Sequence, residues 1–379
     1  MRKLWVCFAM LAFAMALASS AAAAPNCNEG TASNGARYLV CMPTSGWNGG
    51  LVLFAHGYVP VGAGPDAWKA HLTLPGGPSL PDLVTQYGFG FAASSFSKDG
   101  LAVLQGVEDT MALIGIFQDM FHQTPARVFV TGVSEGGLVA AKALEAHSDR
   151  LNGGLAACGP IGDFQKQIDY FGDVRVLFDY FFPNVLGSAW TPANITIPDS
   201  LMTGWDSTYV PAVAAALQAN PLKTAQLVST GKIPIGLNPG NAGEAVLSAL
   251  WYNVFATNDA MATLGGNPFD NSRRWYSGSL NDFLLNLRVA RFSAAPDALN
   301  ALARYQTTGR LSRPLVTLHT AWDPVVPAWQ ESLYAQKVSR AGKSYLLVRY
   351  PVLRFGHCAF NEGEVLIAFL TMVLHPYSY

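Results

Sequence analysis

Residues 127–147 read RVFVTGVSEGGLVAAKALEAH, the most informative part of the sequence for the fold. It begins with a β-rich run and ends with a helical pattern, so we predict a strand followed directly by a helix. Between the two, Gly132-Val133-Ser134-Glu135-Gly136 has the form G-x-S-x-G. A nucleophile at a sharp strand-to-helix turn needs small neighbours, because its own backbone is strained and larger side chains would clash. We therefore predict Ser134 as a nucleophile; the alternative is an ordinary Gly-Ser turn.

Strand-like and helical stretches alternate on both sides of this turn. The β-rich runs are LVLFAH (51–56), GFGFAASSF (88–96), RVFVTG (127–132), GGLAACG (153–159), PLVTLHT (314–320) and SYLLVRYP (344–351). The alternation is lost between about 161 and 303, where only helical pieces appear. Strands separated by helices indicate a mostly parallel sheet covered on both faces. We predict an α/β core of residues 24–160 and 304–379, interrupted by a helical insertion over 161–303.

A serine nucleophile needs a general base, and His357 is the candidate among seven histidines. It lies in RFGHCAF, after the last predicted strand and before a helix opened by Asn361 and Glu364, which form a capping box. That loop runs over the same sheet edge as Ser134. The other histidines receive other interpretations: His56 is structural, His319 is a satisfied core residue, and His71, His122, His147 and His375 are solvated surface residues.

The acid that orients the base should lie on the same edge. Asp323 in HTAWDPVVP follows the penultimate strand, and its alternative role is that of a helix-capping aspartate. Asp163 is the rival acid. We predict the backbone N–H groups of Tyr58 and Glu135 as oxyanion donors, one after the His56-Gly57 pair and one after the nucleophile. The side chain of Glu135 should point away from the site.

The chain order Ser134, Asp323, His357 and the motifs AHGY, GVSEGG, AWDPVVP and FGHCAF resemble the α/β-hydrolase superfamily, secreted serine esterases and lipases in particular. The resemblance covers residues 36–160 and 304–379, and it implies acyl transfer to water without a metal or organic cofactor. It also implies a cap over the active site at the insertion. Cys358, which follows His357, resembles the cysteine that follows the catalytic histidine in tannases and feruloyl esterases. Those enzymes also have a cysteine before the serine, whereas this chain has Val133 there.

Composition and the N-terminus limit the possible functions. Charged residues make up 13% of the 379 residues and the formal net charge is −1, which argues against nucleic-acid binding and against disorder. Arg2 and Lys3 precede an apolar run and then small residues, so we predict that residues 1–23 are a cleaved signal peptide. The run is too short for a membrane span, so we expect a secreted or periplasmic protein without integral membrane association.

Four cysteines remain after removal of the signal peptide. Cys27 and Cys41 flank the hairpin signal Asn34-Gly35 and could face each other across two strands, which would leave Cys158 and Cys358 as a pair. Four free thiols are the alternative.

Three functions fit these observations. The first is a secreted carboxylic-ester hydrolase acting on a small-molecule or polymeric ester. The second is a serine peptidase on the same fold, since Asp163, Asp169, Asp173 and Asp179 could present a carboxylate to a substrate amine. The third is a non-catalytic binding protein. The aromatic residues of the insertion, Trp190, Trp205, Trp251 and Trp275 among them, could serve an apolar substrate or simply form the insertion's own core.

Overall fold

The computed structural model describes residues 24–74, 77–187 and 196–378, so the predicted signal peptide and Trp190 lie outside the described residues. Eight strands form one sheet in the order β1-β2-β4-β3-β5-β6-β7-β8. They are β1 (Asn26–Thr31), β2 (Arg37–Met42), β3 (Gly50–Ala55), β4 (Gly90–Ser94), β5 (Arg127–Val133), β6 (Gly153–Ala157), β7 (Leu315–Trp322) and β8 (Leu347–Phe355).

The sheet is antiparallel at one edge and parallel elsewhere. β2 pairs antiparallel with β1 and β4, whereas every pair from β4 through β3, β5, β6 and β7 to β8 is parallel. All residues of β3 and β4 are buried, as expected for central parallel strands with both faces covered. The strand order and direction confirm the predicted α/β-hydrolase fold.

The described helices are α1 (Leu80–Gln86), α2 (Val103–Phe121), α3 (Glu135–Ala146), α4 (Phe164–Phe181), α5 (Asp199–Thr203), α6 (Val210–Ala219), α7 (Pro221–Gly231), α8 (Ala242–Leu264), α9 (Asp282–Arg288), α10 (Pro296–Leu302), α11 (Trp329–Arg340) and α12 (Glu362–Leu374). Both faces of the sheet are covered by α1 to α3, α11 and α12. The side chains of β3 alternate between the two faces. Leu51 and Leu53 share a core with α2 and α3, whereas Val52 and Phe54 face α12 and α1.

The described residues between β6 and β7 form α4 to α10 and no strand. This 161–303 segment has its own buried core, which includes Trp205, Phe178 and Leu250. Trp251 packs against that core, whereas the Trp275 side chain is exposed. Most of the aromatic residues that enrich the segment therefore stabilise its own packing.

Two disulfides link the described chain. Cys27–Cys41 joins β1 to β2, where the two residues are directly paired across the strands, and Gly35 at φ 88° makes the intervening turn. Cys158–Cys358 joins the end of β6 to the loop after β8. The predicted turn pairing is confirmed, and the alternative of four free thiols is wrong. None of the helices in the described ranges is both long and apolar enough to cross a membrane.

Candidate active site

Ser134 lies at the turn between β5 and α3, at φ 56° and ψ −123°. This conformation is strained for a residue with a side chain. The turn is closed by two glycines, because a Cβ on Gly132 would overlap the Gly136 carbonyl and a Cβ on Gly136 would overlap the carbonyls of Ala55 and His56. The strand, the tight turn and the helix thus appear where the sequence predicted them.

Ser134, His357 and Asp323 form a continuous hydrogen-bonded chain. The Nε2 atom of His357 lies 2.8 Å from the Oγ atom of Ser134, and its Nδ1 atom lies 2.7 Å from Oδ2 of Asp323. Because a carboxylate only accepts, Nδ1 carries the ring hydrogen, which leaves Nε2 to accept from the serine hydroxyl. The structure therefore brings together the three side chains that the sequence analysis selected from distant parts of the chain.

Asp323 is fully buried and uses both carboxylate oxygens. Oδ2 accepts from His357, while Oδ1 accepts from the N–H groups of Val325 and Val326. Asp323 therefore contacts His357 and closes its own turn, but it does not cap a helix, because the next helix begins only at Trp329. The rival Asp163 instead caps α4, where its side chain accepts from the Lys166 N–H.

The turn that carries Asp323 is held from two sides. From α4, the Tyr170 hydroxyl donates to the Pro324 carbonyl over 2.8 Å, and the Gln167 amide donates to the Val325 carbonyl over 2.8 Å. From β7, His319 is buried, and its Nε2 lies 2.7 Å from the Val326 carbonyl oxygen. The interpretation of His319 as a satisfied core histidine is confirmed, since its Nδ1 also lies 3.2 Å from Glu331.

The predicted oxyanion donors flank Ser134. Glu135 is the first residue of α3, so its N–H lacks an intrahelical acceptor and adds to the positive end of the helix dipole. Tyr58 follows Gly57, whose backbone packs so closely on the nucleophile that a Cβ there would lie 3.2 Å from the Ser134 Cβ. The Tyr58 hydroxyl donates to the Phe255 carbonyl of α8 over 3.1 Å, which holds this loop against the 161–303 segment.

The Glu135 side chain turns away from Ser134, as predicted. Its Oε1 accepts from the Ala102 N–H over 2.9 Å at the start of α2, and the residue is buried. Burial raises the pKa of Glu135 to about 8, although the hydrogen bond from Ala102 acts in the opposite direction. Asp259 of α8 accepts from the neighbouring Leu101 N–H over 2.6 Å, so two acidic side chains hold the segment that leads into α2.

The interpretation of His71 as a solvated surface residue is wrong. Its ring is half-buried, lies 5.8 Å from the ring of His56, and lines the cavity beside Ser134. Burial lowers its pKa. The sequence around it has no periodic pattern, so nothing there indicated that a short helical turn, Ala67–Leu72, folds back over the site.

His56 is a buried structural residue as predicted, and burial lowers its pKa to about 4. Of the other three, His122 is exposed, whereas His147 and His375 are partly buried at helix ends.

Tyr252 of α8 reaches the site and was missed by the sequence analysis. Its ring stacks on Phe171 at 5.2 Å and meets the His357 ring edge-on at 6.4 Å. Burial and the Asp323 charge raise its pKa, against a smaller effect of the Ser134 hydroxyl, so the phenol stays protonated beside the nucleophile. A tyrosine in the aromatic run LWYNVF is typical of a packed helix, and the run contains no signal for this role.

Two chambers open beside Ser134. The larger, which we call the α1/α12 chamber, has a volume of about 340 Å³ and lies between the sheet and helices α1 and α12. The smaller, the α4/α8 chamber, has a volume of about 90 Å³ and lies beneath helices of the 161–303 segment. Apolar side chains make up most of both linings.

One group of side chains among the described residues is compact enough to hold a metal ion, namely Cys158, His357 and Cys358. The two sulfur atoms are bonded to each other and offer no thiolate, which is the form that ligates metals. This group therefore does not fit a metal.

Searches against family models and against curated proteins gave no match. Among solved structures, the chain is similar to an acylaminoacyl peptidase of Pyrococcus horikoshii, with TM-score 0.43, 12% identity and coverage of 88% of this chain. It spans only 37% of that peptidase. An esterase of Pyrococcus furiosus aligns with TM-score 0.45 and 12% identity over 92% of this chain and 90% of its own. TM-scores and identities this low do not indicate an activity, and the fold class rests on the strand order of the sheet.

Proposed function

We propose that this protein is a secreted serine hydrolase that cleaves carboxylic esters through an acyl-enzyme. The observation that carries the proposal is the hydrogen-bonded chain from Ser134 through His357 to Asp323. A serine hydroxyl is a weak nucleophile until an adjacent base removes its proton, and the base works best when a third group fixes its orientation.

In the first half-reaction, His357 Nε2 takes the proton of Ser134 as Oγ attacks the ester carbonyl carbon. The imidazolium that forms is stabilised by the Asp323 carboxylate at Nδ1. His357 then gives the proton to the alcohol oxygen, the bond from the carbonyl carbon to that oxygen breaks, and the acyl group stays on Ser134. In the second half-reaction a water molecule replaces the alcohol, and the same proton transfers release the acid.

The oxyanion of each tetrahedral intermediate is bound by the N–H groups of Tyr58 and Glu135. The dipole of α3 supports this assignment, because the helix begins at Glu135. The protonated phenol of Tyr252 beside Ser134 adds a third donor from the 161–303 segment. That segment acts as a cap on the core of residues 24–160 and 304–379.

The acidic residues at the start of the segment support ester rather than peptide substrates. Asp169 and Asp173 both bind Arg274, Asp179 binds Arg175, and Asp163 caps α4. Each carboxylate therefore already has a partner, and none of them lines either chamber in the described part of the chain. Capture of a substrate amine by one of them is disfavoured.

Export is proposed from two observations. Residues 1–23 have the pattern of a signal peptide, and the two disulfides suit an oxidising compartment. Processing is tested by N-terminal sequencing of the protein recovered from outside the cytoplasm.

The activity is tested with nitrophenyl esters of graded chain length beside aminoacyl nitroanilides. We expect hydrolysis of the esters and a loss of about 10⁴-fold or more in kcat for Ser134→Ala and for His357→Ala, because either change removes a member of the catalytic unit. A control on the nearby surface is Ile367→Ala, since Ile367 is 57% exposed. Activity above one tenth of normal in Ser134→Ala would refute the proposal, and preference for nitroanilides would favour the peptidase.

A further inference from the structure

The two chambers meet at the nucleophile. The described residues common to both linings are Tyr58, Ser134 and Tyr252, so a group bound at Ser134 can extend into either chamber. An ester has two such groups, the acyl part and the alcohol part. The structure therefore presents one chamber for each side of the scissile bond.

The position of His357 distinguishes the chambers. His357 lines the α1/α12 chamber, and the described lining of the α4/α8 chamber does not contain it. In the proposed reaction, the alcohol oxygen must come within hydrogen-bond distance of His357 Nε2 to receive its proton. The carbon atoms attached to that oxygen are therefore closest to the α1/α12 chamber, and the acyl part is directed into the other one.

The two chambers differ in size by more than a factor of three. A cavity of about 150 Å³ accommodates benzene. By that measure the α1/α12 chamber, at about 340 Å³, accommodates an apolar group about twice as large, whereas the α4/α8 chamber, at about 90 Å³, accommodates less than one benzene ring.

The chemistry of the larger chamber is apolar. Leu80, Leu83 and Val84 of α1 form one wall, and Val365, Leu366 and Phe369 of α12 form another. Among its described lining residues there is no Asp, Glu, Lys or Arg. The Thr131 hydroxyl already donates to the Leu53 carbonyl over 3.0 Å. Such a lining stabilises alkyl or aryl groups and disfavours charged alcohols and sugars.

We propose that the α1/α12 chamber binds the alcohol part of the substrate and the α4/α8 chamber binds the acyl part. The preferred substrates are then esters of a short acid with a long or aromatic apolar alcohol. This inference rests on the proposed ester hydrolysis and assigns a substrate class to it.

Two isomeric esters test the assignment. Octyl acetate and ethyl octanoate share the formula C10H20O2 and differ in which side of the ester carries the chain. We expect kcat/KM, measured by acid release, to be at least about 10-fold higher for octyl acetate, because only its chain has a chamber large enough to enter. Equal rates, or faster hydrolysis of ethyl octanoate, would overturn the assignment while leaving the ester hydrolase intact. If neither ester, nor any nitrophenyl ester, is cleaved faster than by Ser134→Ala, the proposed function itself fails.

A matched pair of variants on α12 tests the location. Leu366 faces the chamber, whereas its neighbour Ile367 is 57% exposed. We expect Leu366→Trp to lower kcat/KM for octyl acetate by about 10-fold and to leave that for ethyl acetate within about 2-fold, because only the longer alcohol needs the filled volume. Ile367→Trp should change neither. If Leu366→Trp does not fold, Val84→Trp fills the same chamber from α1. An equal loss on both substrates in a folded variant would refute the location.

Discussion

Among the individual residues of the site, Asp323 makes two different contacts. Asp323 binds His357 with one oxygen and closes its own turn with the other, so the residue proposed as the catalytic acid also stabilises the local backbone. A carboxylate is required for the first role, because only an acceptor keeps the ring hydrogen on Nδ1. An amide can still accept the two backbone N–H groups.

We therefore expect Asp323→Asn to fold and to lower kcat by about 10⁴-fold, as expected when the base is held in the wrong tautomer. Asp163→Asn is the control, because Asp163 caps α4 and an asparagine can replace it there. It should retain activity within about 2-fold. The opposite ranking in a kinetic comparison of the two variants would make Asp163 the acid.

The hydroxyl of Tyr252 is the third proposed oxyanion donor, and its removal should slow the reaction. Removal of one oxyanion donor costs about 10²-fold to 10³-fold in kcat, so Tyr252→Phe should lower kcat by about that factor while KM and the melting temperature change little. The ring that stacks on Phe171 is retained in this variant. Tyr170→Phe is the comparison variant. It also removes a phenol hydroxyl, but that hydroxyl binds the Pro324 carbonyl instead of the nucleophile. An unchanged kcat in Tyr252→Phe would exclude the phenol from the oxyanion site.

At the scale of elements, helix termini connect the core to the 161–303 segment. Just before α2 begins, Glu135 of α3 accepts from the Ala102 N–H and Asp259 of α8 accepts from the Leu101 N–H. Lys98 binds Asp259 as well, so a cation and two carboxylates lie at this junction. These contacts bury the side chain of Glu135, the residue that directly follows Ser134.

The raised pKa of Glu135 predicts a pH dependence of stability. Because burial raises this pKa from 4.5 to about 8, the folded protein binds a proton that the unfolded chain releases between those values. Loss of this proton should therefore lower the free energy of unfolding by roughly 2–4 kcal/mol as pH rises from about 5 to about 8. Below about pH 6.5 the lowered pKa of buried His56 acts in the opposite direction. Glu135→Gln should fold with a smaller decrease over the same range, since its amide is neutral throughout.

The measurement is denaturant unfolding of both proteins at pH 5 and pH 8. Glu108→Gln supplies the matched control, because Glu108 is exposed on the same helix that Glu135 caps. That variant should follow the wild-type pH dependence. If Glu135→Gln shows the same decrease as the wild type, the side chain is not protonated in the folded protein.

In the molecule as a whole, the Cys158–Cys358 disulfide joins the loop of His357, the proposed base, to the sheet. Cys158–Cys358 connects residues 200 positions apart and joins the His357 loop to the end of β6, next to the start of the 161–303 segment. Both cysteines have a positive φ, 46° and 51°, as does Ser134. Three of the seven described non-glycine residues with a positive φ therefore lie where the reaction is proposed to occur.

Replacing Cys158 and Cys358 by Ser should lower both stability and turnover. In the chain-entropy model, closing a loop of this length is worth about 5 kcal/mol, and a loosened imidazole should lower kcat by about 10²-fold. Replacing Cys27 and Cys41 by Ser should lower the melting temperature alone, because that disulfide joins β1 to β2 at the edge of the sheet. Equal effects of the two double variants on kcat at a temperature where both are folded would contradict this division.

The fold class and the candidates for nucleophile, base and acid could be predicted from local sequence patterns. Ser134 and Asp323 directly follow a strand and His357 lies two residues after one, and parallel strands bring their carboxyl ends to one edge. A pattern of this kind can be read without knowing any long-range contact. The Cys27–Cys41 pair was equally local, since a turn signal lies midway between the two residues.

The rest of the site could not be predicted before the fold was known. Tyr252, His71 and the partner of the Glu135 side chain depend on contacts between segments far apart in sequence, and no local pattern marks them. The chambers arise from gaps between packed layers, so their volumes depend on how side chains of several elements fit together. For this reason the hydrogen-bonded side chains Ser134, His357 and Asp323 could be predicted from the sequence, whereas the shape available to a substrate required the folded chain.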